Sequence, residues 1–397
     1  MRTMKLIDLS INISSGITPL RSNNEFWSNG TIPWLKTEQL GEKYIFDTSE
    51  YISQKALEET NIKIFPENTL SIAMYGEGKT RGNVSILKRA MTTNQACCNI
   101  ELNTEKANPE YVYYFLKTQY ENLRSLSSGI RKNLNSNDIK SFQIRVPDLP
   151  TQQSIASVLS ALDQKIAVNN QINAQLEQMA KTLYDYWFVQ FDFPDENGKP
   201  YQSSGGEMVY NDTLKRVIPK GWEVIELGKC LDKIPNTEKI LNKDIVNFGK
   251  YPVIDQSQDF ICGFTNNQKS ILTPDDAHII FGDHTRTVKL VNFTYARGAD
   301  GTQIIISNNN RLPSYLLYQM INQIDLSNYG YARHFKFLKE SIIILPSKSI
   351  AHKYNEIASC LFKKNRSNII QNQQLTQLRD FLLPMLMNGQ VAVDTNA

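Results

Sequence analysis

Two short motifs and the scattered histidines and cysteines are the places where this sequence could do chemistry. Asn108-Pro109-Glu110-Tyr111 is close to an Asn-Pro-Pro-Tyr/Phe tetrapeptide. In that motif the asparagine and a proline carbonyl hold the amino group of a flipped adenine, and the aromatic ring stacks on the base. Here Glu110 replaces the second proline, and no glycine-rich turn for S-adenosylmethionine accompanies it. The matching stretch further along, Leu312-Pro313-Ser314-Tyr315, lacks the asparagine, so a helix start is the reading favoured. Gly76-Glu77-Gly78-Lys79-Thr80 approaches a phosphate-binding loop, but Ala73 sits where GxxxxGK[ST] needs its first glycine. His278, His284, His334 and His352 show no metal-ligand spacing. Cys97, Cys98, Cys230, Cys262 and Cys360 are odd in number and form no CxxC pair. No catalytic, metal or cofactor site is expected on this chain.

What remains is recognition. Thr80-Arg81 and Thr285-Arg286 each follow a Gly-led turn between apolar runs, and Lys79 and His284 have the same reach. An arginine at a hairpin tip can meet phosphate or fork onto guanine O6/N7. Because the pair recurs, gripping the backbone is favoured over reading bases. A second region lies further on in each half. "SGIRKNLN" offers Arg131, Lys132 and Asn133, and "YGYARHFK" offers Arg333, His334 and Lys336. Arginine can read guanine and asparagine can read adenine. The loops around residues 15–45 and 235–270, where the halves diverge most, are also expected to read bases. Plain turn-stabilising pairs and solvated loops are the alternative.

These residues need elements to hold them, and the elements come twice. "NAQLEQMAKTL" (Asn173–Leu183) and "NQQLTQLRDFL" (Asn372–Leu382) match at an offset of 199 residues without a gap. The same offset pairs Pro147 with Pro346 and Asn169 with Asn368. A period this long describes two copies of a domain-plus-helix unit rather than a solenoid. Each copy opens with an alternating strand, Lys5–Leu9 or Glu223–Leu227. A hairpin, a proline-started helix, a basic segment and a strand ending in proline follow. A long helix closes the copy. In the first, positions alternately four and three apart from Ile155 to Trp187 are apolar except Asn169 and Asn173. The second has asparagines at the matching Asn368 and Asn372. Buried polar residues in such a seam fix register. The spacing predicts two helices of roughly 38 residues, about 57 Å long, packed as an antiparallel coiled coil with a globular head at each end.

The fold expected is therefore α+β with a pseudo-two-fold internal repeat. Two globular domains, 1–149 and 193–346, alternate with helices at 150–192 and 347–389. The second domain begins with a linker (Asp192–Met208), and 390–397 form a loose tail. Net charge is +3. Residues 1–149 hold 18 Lys+Arg against 16 Asp+Glu, and residues 196–346 hold 17 against 16. Neither head is broadly basic, so local basic loops would grip a polyanion while other subunits help. No apolar run approaches the ~18 residues of a membrane helix, and the start lacks a signal-peptide core. A cytoplasmic protein is expected.

"LPTQQSIASVLSALDQKIAVNNQINAQLEQMAKTLYDYWF", "IPKGWEVIELG", "YPVIDQSQDFICGFT" and the closing "QLRDFLLPMLMNGQV" resemble the specificity subunit of Type I restriction-modification systems. The resemblance spans essentially the whole chain. It implies a non-catalytic subunit whose two domains each read one half of a bipartite, asymmetric DNA site while the helices set the spacer. It implies two modification subunits, docked on the helices, that methylate adenine N6 with S-adenosylmethionine, and two restriction subunits that use ATP and Mg. The alternatives are a stand-alone DNA methyltransferase and a coiled-coil protein that only bridges partners.

Overall fold

The structure, a computed structural model, describes residues 1–76, 80–126, 133–232, 234, 237–299, 301–330 and 333–393. It divides into two compact units, residues 1–166 with 373–397, and residues 167–372.

The first unit holds head 1. Strand β1 (Arg2–Lys5) leads through a 3-10 turn to β2 (Ser10–Ser15). β3 (Tyr44–Ile45), β4 (Leu70–Ala73), β5 (Val84–Leu87) and β6 (Cys97–Leu102) complete a five-stranded sheet in the order β2-β6-β4-β5-β3. β4 and β5 are the expected hairpin, with Leu70 opposite Ile86 and Ile72 opposite Val84. Helix α1 (Pro109–Thr118) covers the sheet. Its Tyr111, Val112 and Leu116 are buried with Ile72, Ile86 and Ile100. β7 (Gln143–Val146) returns to pair with β1, Arg2 opposite Val146. Helix α2 (Leu149–Tyr184) follows. Residues 15–45 and their surroundings form a second small sheet, in which Ile32–Leu35 lies between Glu50–Ile52 and Thr92–Thr93.

The second unit repeats the plan. β8 (Glu223–Glu226) is followed by a 3-10 turn and β9 (Leu231–Asp232). β10 (His278–Gly282), β11 (Val288–Val291) and β12 (Thr302–Ser307) complete a sheet in the order β9-β12-β10-β11. Helix α3 (Ser314–Gln323) and β13 (Ile342–Leu345) come next, and β13 pairs with β8. Helix α4 (Lys348–Met387) closes the chain. A small sheet around Tyr251–Ile254 occupies the counterpart of the first head's divergent region.

Two expectations need correction. The opening strands are Arg2–Lys5 and Glu223–Glu226, shorter than or offset from the alternating runs. Leu6 with Leu9, and Leu227 with Cys230, are each buried. A spacing of three puts both on one side of a 3-10 turn, so burial of that pair overrides strand alternation. Residues 192–208 are also more than a linker. Phe193 stacks on Tyr201 and Trp222 with centroids 4.6 and 5.1 Å apart. The Asp192 carboxylate accepts from the Ser203 amide at 2.7 Å and its hydroxyl at 2.5 Å. A hairpin, Met208–Asn211 with Arg216–Pro219, follows.

The long helices meet within each unit. In the first, Leu382, Leu383, Leu386 and Met387 of α4 join a core with Ile155, Ala156 and Leu159 of α2. In the second, Tyr354 and Ala358 join Ala180, Tyr184 and Trp187. Asn169 donates to Gln371 and Asn372, both at 2.8 Å. Asn368 donates to Asn173 at 2.8 Å, Asn372 to Asn170 at 2.8 Å and Asn365 to Glu177 at 2.9 Å. As the number rises along α2 its partner's falls, so these segments run antiparallel. Asn169 and Asn368 are only 1% and 3% exposed. Buried amides need such partners, because one left unpaired costs about 1–3 kcal/mol. No helix among the described residues is long and apolar enough to cross a membrane.

Candidate nucleic-acid interface

In head 2 the β10–β11 turn meets the segment before β13. His284, Thr285 and Arg286 are exposed at the turn. The Arg286 amide donates to Gly282 O at 2.8 Å, and its guanidinium Nη1 donates to Leu326 O at 3.3 Å. Its φ is +61°. An arginine in this left-handed region costs about 1 kcal/mol, so surrounding contacts hold the turn. Gln256 supplies two of them. Its carbonyl accepts from Thr285 Oγ1 at 2.7 Å, and its side-chain oxygen accepts from the His284 amide at 3.2 Å.

Asp283 joins the two segments. Its carbonyl accepts from the His334 amide at 3.0 Å and lies 2.9 Å from His334 Nδ1. Its carboxylate accepts from the Phe335 amide at 2.9 Å. His334 Nε2 lies 3.1 Å from Tyr329 O. His334 is thus 5% exposed with both ring nitrogens occupied by backbone. This corrects its expected role, because it braces the turn and presents no free edge to a ligand. Arg333 and Lys336 on either side are exposed. Lys336 stands 3.8 Å from Glu340.

Head 1 brings the same two segments together. Leu134 donates its amide to Met74 O at 3.1 Å. Arg124 donates to Arg81 O at 3.2 Å and to Tyr120 OH at 2.8 Å. Gly82, at φ +88°, lies beneath Arg124 and Tyr120, where an added Cβ would come within 3.2 Å of the arginine stem. Thr80, Arg81 and Asn133 are partly buried. Lys79, Arg131 and Lys132 lie outside the described residues. The bracing residues Gln256, Asp283 and Arg124 carry no sequence signal of their role. Only the packing of turn on loop reveals it.

The other motifs resolve as local structure. Asn108 Oδ1 accepts from the Tyr111 amide at 3.0 Å and caps α1. Tyr111 is fully buried, its hydroxyl donating to Arg145 O at 2.7 Å. That ring has no face to offer a base. His278 lies 3.1 Å from Tyr295 OH. Burial depresses its pKa to about 4, against the opposing charge of Asp275. Burial pushes the Cys97 and Cys98 thiols up to about 12, which leaves them unreactive. Among the described residues no group of His, Cys, Asp and Glu could hold a metal.

The helices carry an exposed apolar surface. In the second unit a groove of about 730 Å³ is lined by Met179, Leu183, Tyr186, Ile357 and Leu361 among others. The 199-residue offset maps these onto Leu378, Leu382, Met385, Val158 and Leu162, all in the first unit. There Val158, Leu378 and nearby Phe381 are exposed at 37%, 45% and 61%.

Residues 1–178 match the family described as Type I restriction modification DNA specificity domain. The chain is similar over most of its length to specificity subunits of Type I restriction enzymes. The MjaIX specificity subunit of Methanocaldococcus jannaschii is 28% identical, over 96% of this chain and 91% of its own. The HindI specificity subunit of Haemophilus influenzae is 28% identical, over 74% and 79%. The Type I S subunit from M. genitalium shares the fold, with a TM-score of 0.58, 18% identity and coverage of 97% and 95%. The element order of the matched domain recurs in the second unit. The two heads thus share a plan and differ in loop sequence.

Proposed function

We propose that this chain gives a Type I restriction-modification complex its DNA sequence specificity, each head reading one half of a bipartite, asymmetric duplex site. The observation that carries this is the paired hairpin turn and loop. In both heads a backbone bond joins the two segments, Leu134 to Met74 O in one and His334 to Asp283 O in the other, and the side chains there differ. In head 2 Arg286, Arg333, Lys336 and His284 form the gripping surface, with Thr285 at its turn. In head 1 the corresponding contacts come from Thr80, Arg81, Asn133 and the neighbouring Lys79, Arg131 and Lys132. Phosphate contacts by such cations position a head, and base edges in the grooves specify the sequence.

The two long helices pair as an antiparallel coiled coil and set the distance between half-sites, with Asn169, Asn173, Asn368 and Asn372 fixing their register. The apolar groove of the second unit takes one modification subunit, and the exposed apolar residues at the matching positions of the first unit take another. Those subunits supply adenine N6 methylation with S-adenosylmethionine. Two restriction subunits supply the chemistry that needs ATP and Mg. The specificity subunit performs none of these reactions and binds none of these cofactors.

The test is selection of binding sites from a random duplex library, using the chain assembled with its modification subunit. Two short fixed sequences separated by a constant unspecified gap are expected. Enrichment of a single contiguous motif, or of none, contradicts the reading.

A further inference from the structure

The two heads are fastened to their helices by different physics. In the first unit Lys43, just before β3, sends its ammonium into a nearly closed pocket, its side chain 11% exposed. There it lies 2.6 Å from Glu110 and donates to Tyr114 OH at 2.7 Å and to Ser160 Oγ at 2.9 Å. Asp163 is 3.6 Å away. Ser160 and Tyr44 donate to Glu110, and Tyr114 donates to Asp163. Asp163 also pairs with Arg379 of α4 at 2.9 Å, and Arg379 pairs with Asp380. One side chain of the head thereby reaches α1 and α2 directly, and α4 through Asp163. Burial pushes the Glu110 carboxyl up, but Lys43, Ser160 and Tyr44 outweigh it and leave the group below its ordinary range.

The second unit uses rings at the matching place. The offset of 199 puts Phe362 where the first unit has Asp163. Phe362 stacks on Tyr315 at 5.4 Å and meets Tyr318 edge-on at 5.6 Å. Its carbonyl accepts from Asn292 at 3.2 Å. Apolar contacts are stabilising and tolerant of small rotations. A buried ionic network adds less net stability, but charge-assisted hydrogen bonds are directional, and removing one member leaves its partners unpaired.

We infer that Lys43 is the positioning residue that fixes the angle of head 1 on its helix pair, and through it the half-site spacing the subunit accepts, without itself meeting DNA. This rests on the bipartite reading of DNA proposed above. The experiment uses the complex with the modification subunit. Binding is scored on a library that keeps both selected half-sites and varies the gap. The parent protein is the control for that reading, and if it selects no two-part site the fault lies there and not with Lys43. Lys43→Met should keep the base preferences of both halves while discrimination between adjacent gap lengths falls by about tenfold. Adding Glu110→Gln, which removes the stranded carboxylate, should raise the melting temperature that Lys43→Met lowers without restoring the sharp gap. Lys43→Arg, which keeps the charge, should restore most of it. The inference is overturned if Lys43→Met keeps one sharp gap length. It is also overturned if the double variant, though folded by its melting curve, regains the parent's gap discrimination. Loss of the head 1 half-site in all three variants would likewise reduce Lys43 to a folding role.

Discussion

Arg286 stands exposed at a turn whose geometry is set by Gln256, Asp283 and Leu326 rather than by its own preference. Arg286→Ala should therefore leave the head folded and weaken DNA binding. The slope of log affinity against log salt should flatten by about one if the guanidinium meets a phosphate. A titration of binding over a range of salt checks this, and an unchanged slope returns Arg286 to a turn-forming role. His334→Ala should act differently. It removes the ring contacts to Asp283 O and Tyr329 O while the His334 and Phe335 amide bonds to Asp283 stay, so it should lower the stability of head 2 by about 1–3 kcal/mol in a denaturant melt. His278 supplies a pH test. Its folded pKa is about 4 against an ordinary 6.5. Below about pH 6.5 the unfolded chain takes up a proton that the folded head refuses. The stabilisation is thus present above 6.5 and is lost as the pH falls toward 4. Thermal melts across that window should show the decline, and His278→Gln should reduce it.

At the scale of elements, the seam amides offer the sharpest test. Asn169→Leu alone takes the donor from Gln371, which is exposed, and from half-buried Asn372, and should cost about 0.5–1.5 kcal/mol. Adding Asn372→Leu should recover stability, since an apolar pair suits a seam, while loosening register. Chemical denaturation of the three proteins checks this, and a double variant no more stable than the single contradicts it. The asparagines were legible in the sequence because the long helices repeat at a fixed offset and carry a 4–3 period. The hairpins were legible for a similar reason, with apolar runs flanking a Gly-led turn. The 3-10 turns at Leu6–Leu9 and Leu227–Cys230 were not, because burial at a spacing of three breaks strand alternation only once the core exists. The buried state of His334 was equally hidden. A histidine beside Arg333 and Lys336 reads as a surface residue until Asp283, 51 positions away, is brought against it. The ionic cluster around Lys43 joins four distant stretches, and no local pattern announces it.

For the whole molecule, two heads that fold as parts of separate units should be separable in specificity. Exchanging residues 1–145 for those of a relative should change one half of the recognised sequence and leave the other intact, as read by site selection. A change in both halves would refute independent heads. Inserting four residues near Asn169 should alter the accepted gap or abolish binding, whereas an unchanged gap would mean that the helices are no ruler. The most direct measurement is genome-wide mapping of adenine methylation in cells that express this chain with its modification subunit. The account predicts a new two-part motif with one methylated adenine in each half, separated by a constant gap. A complex that forms yet writes no such motif, or methylates a single contiguous sequence, would contradict it.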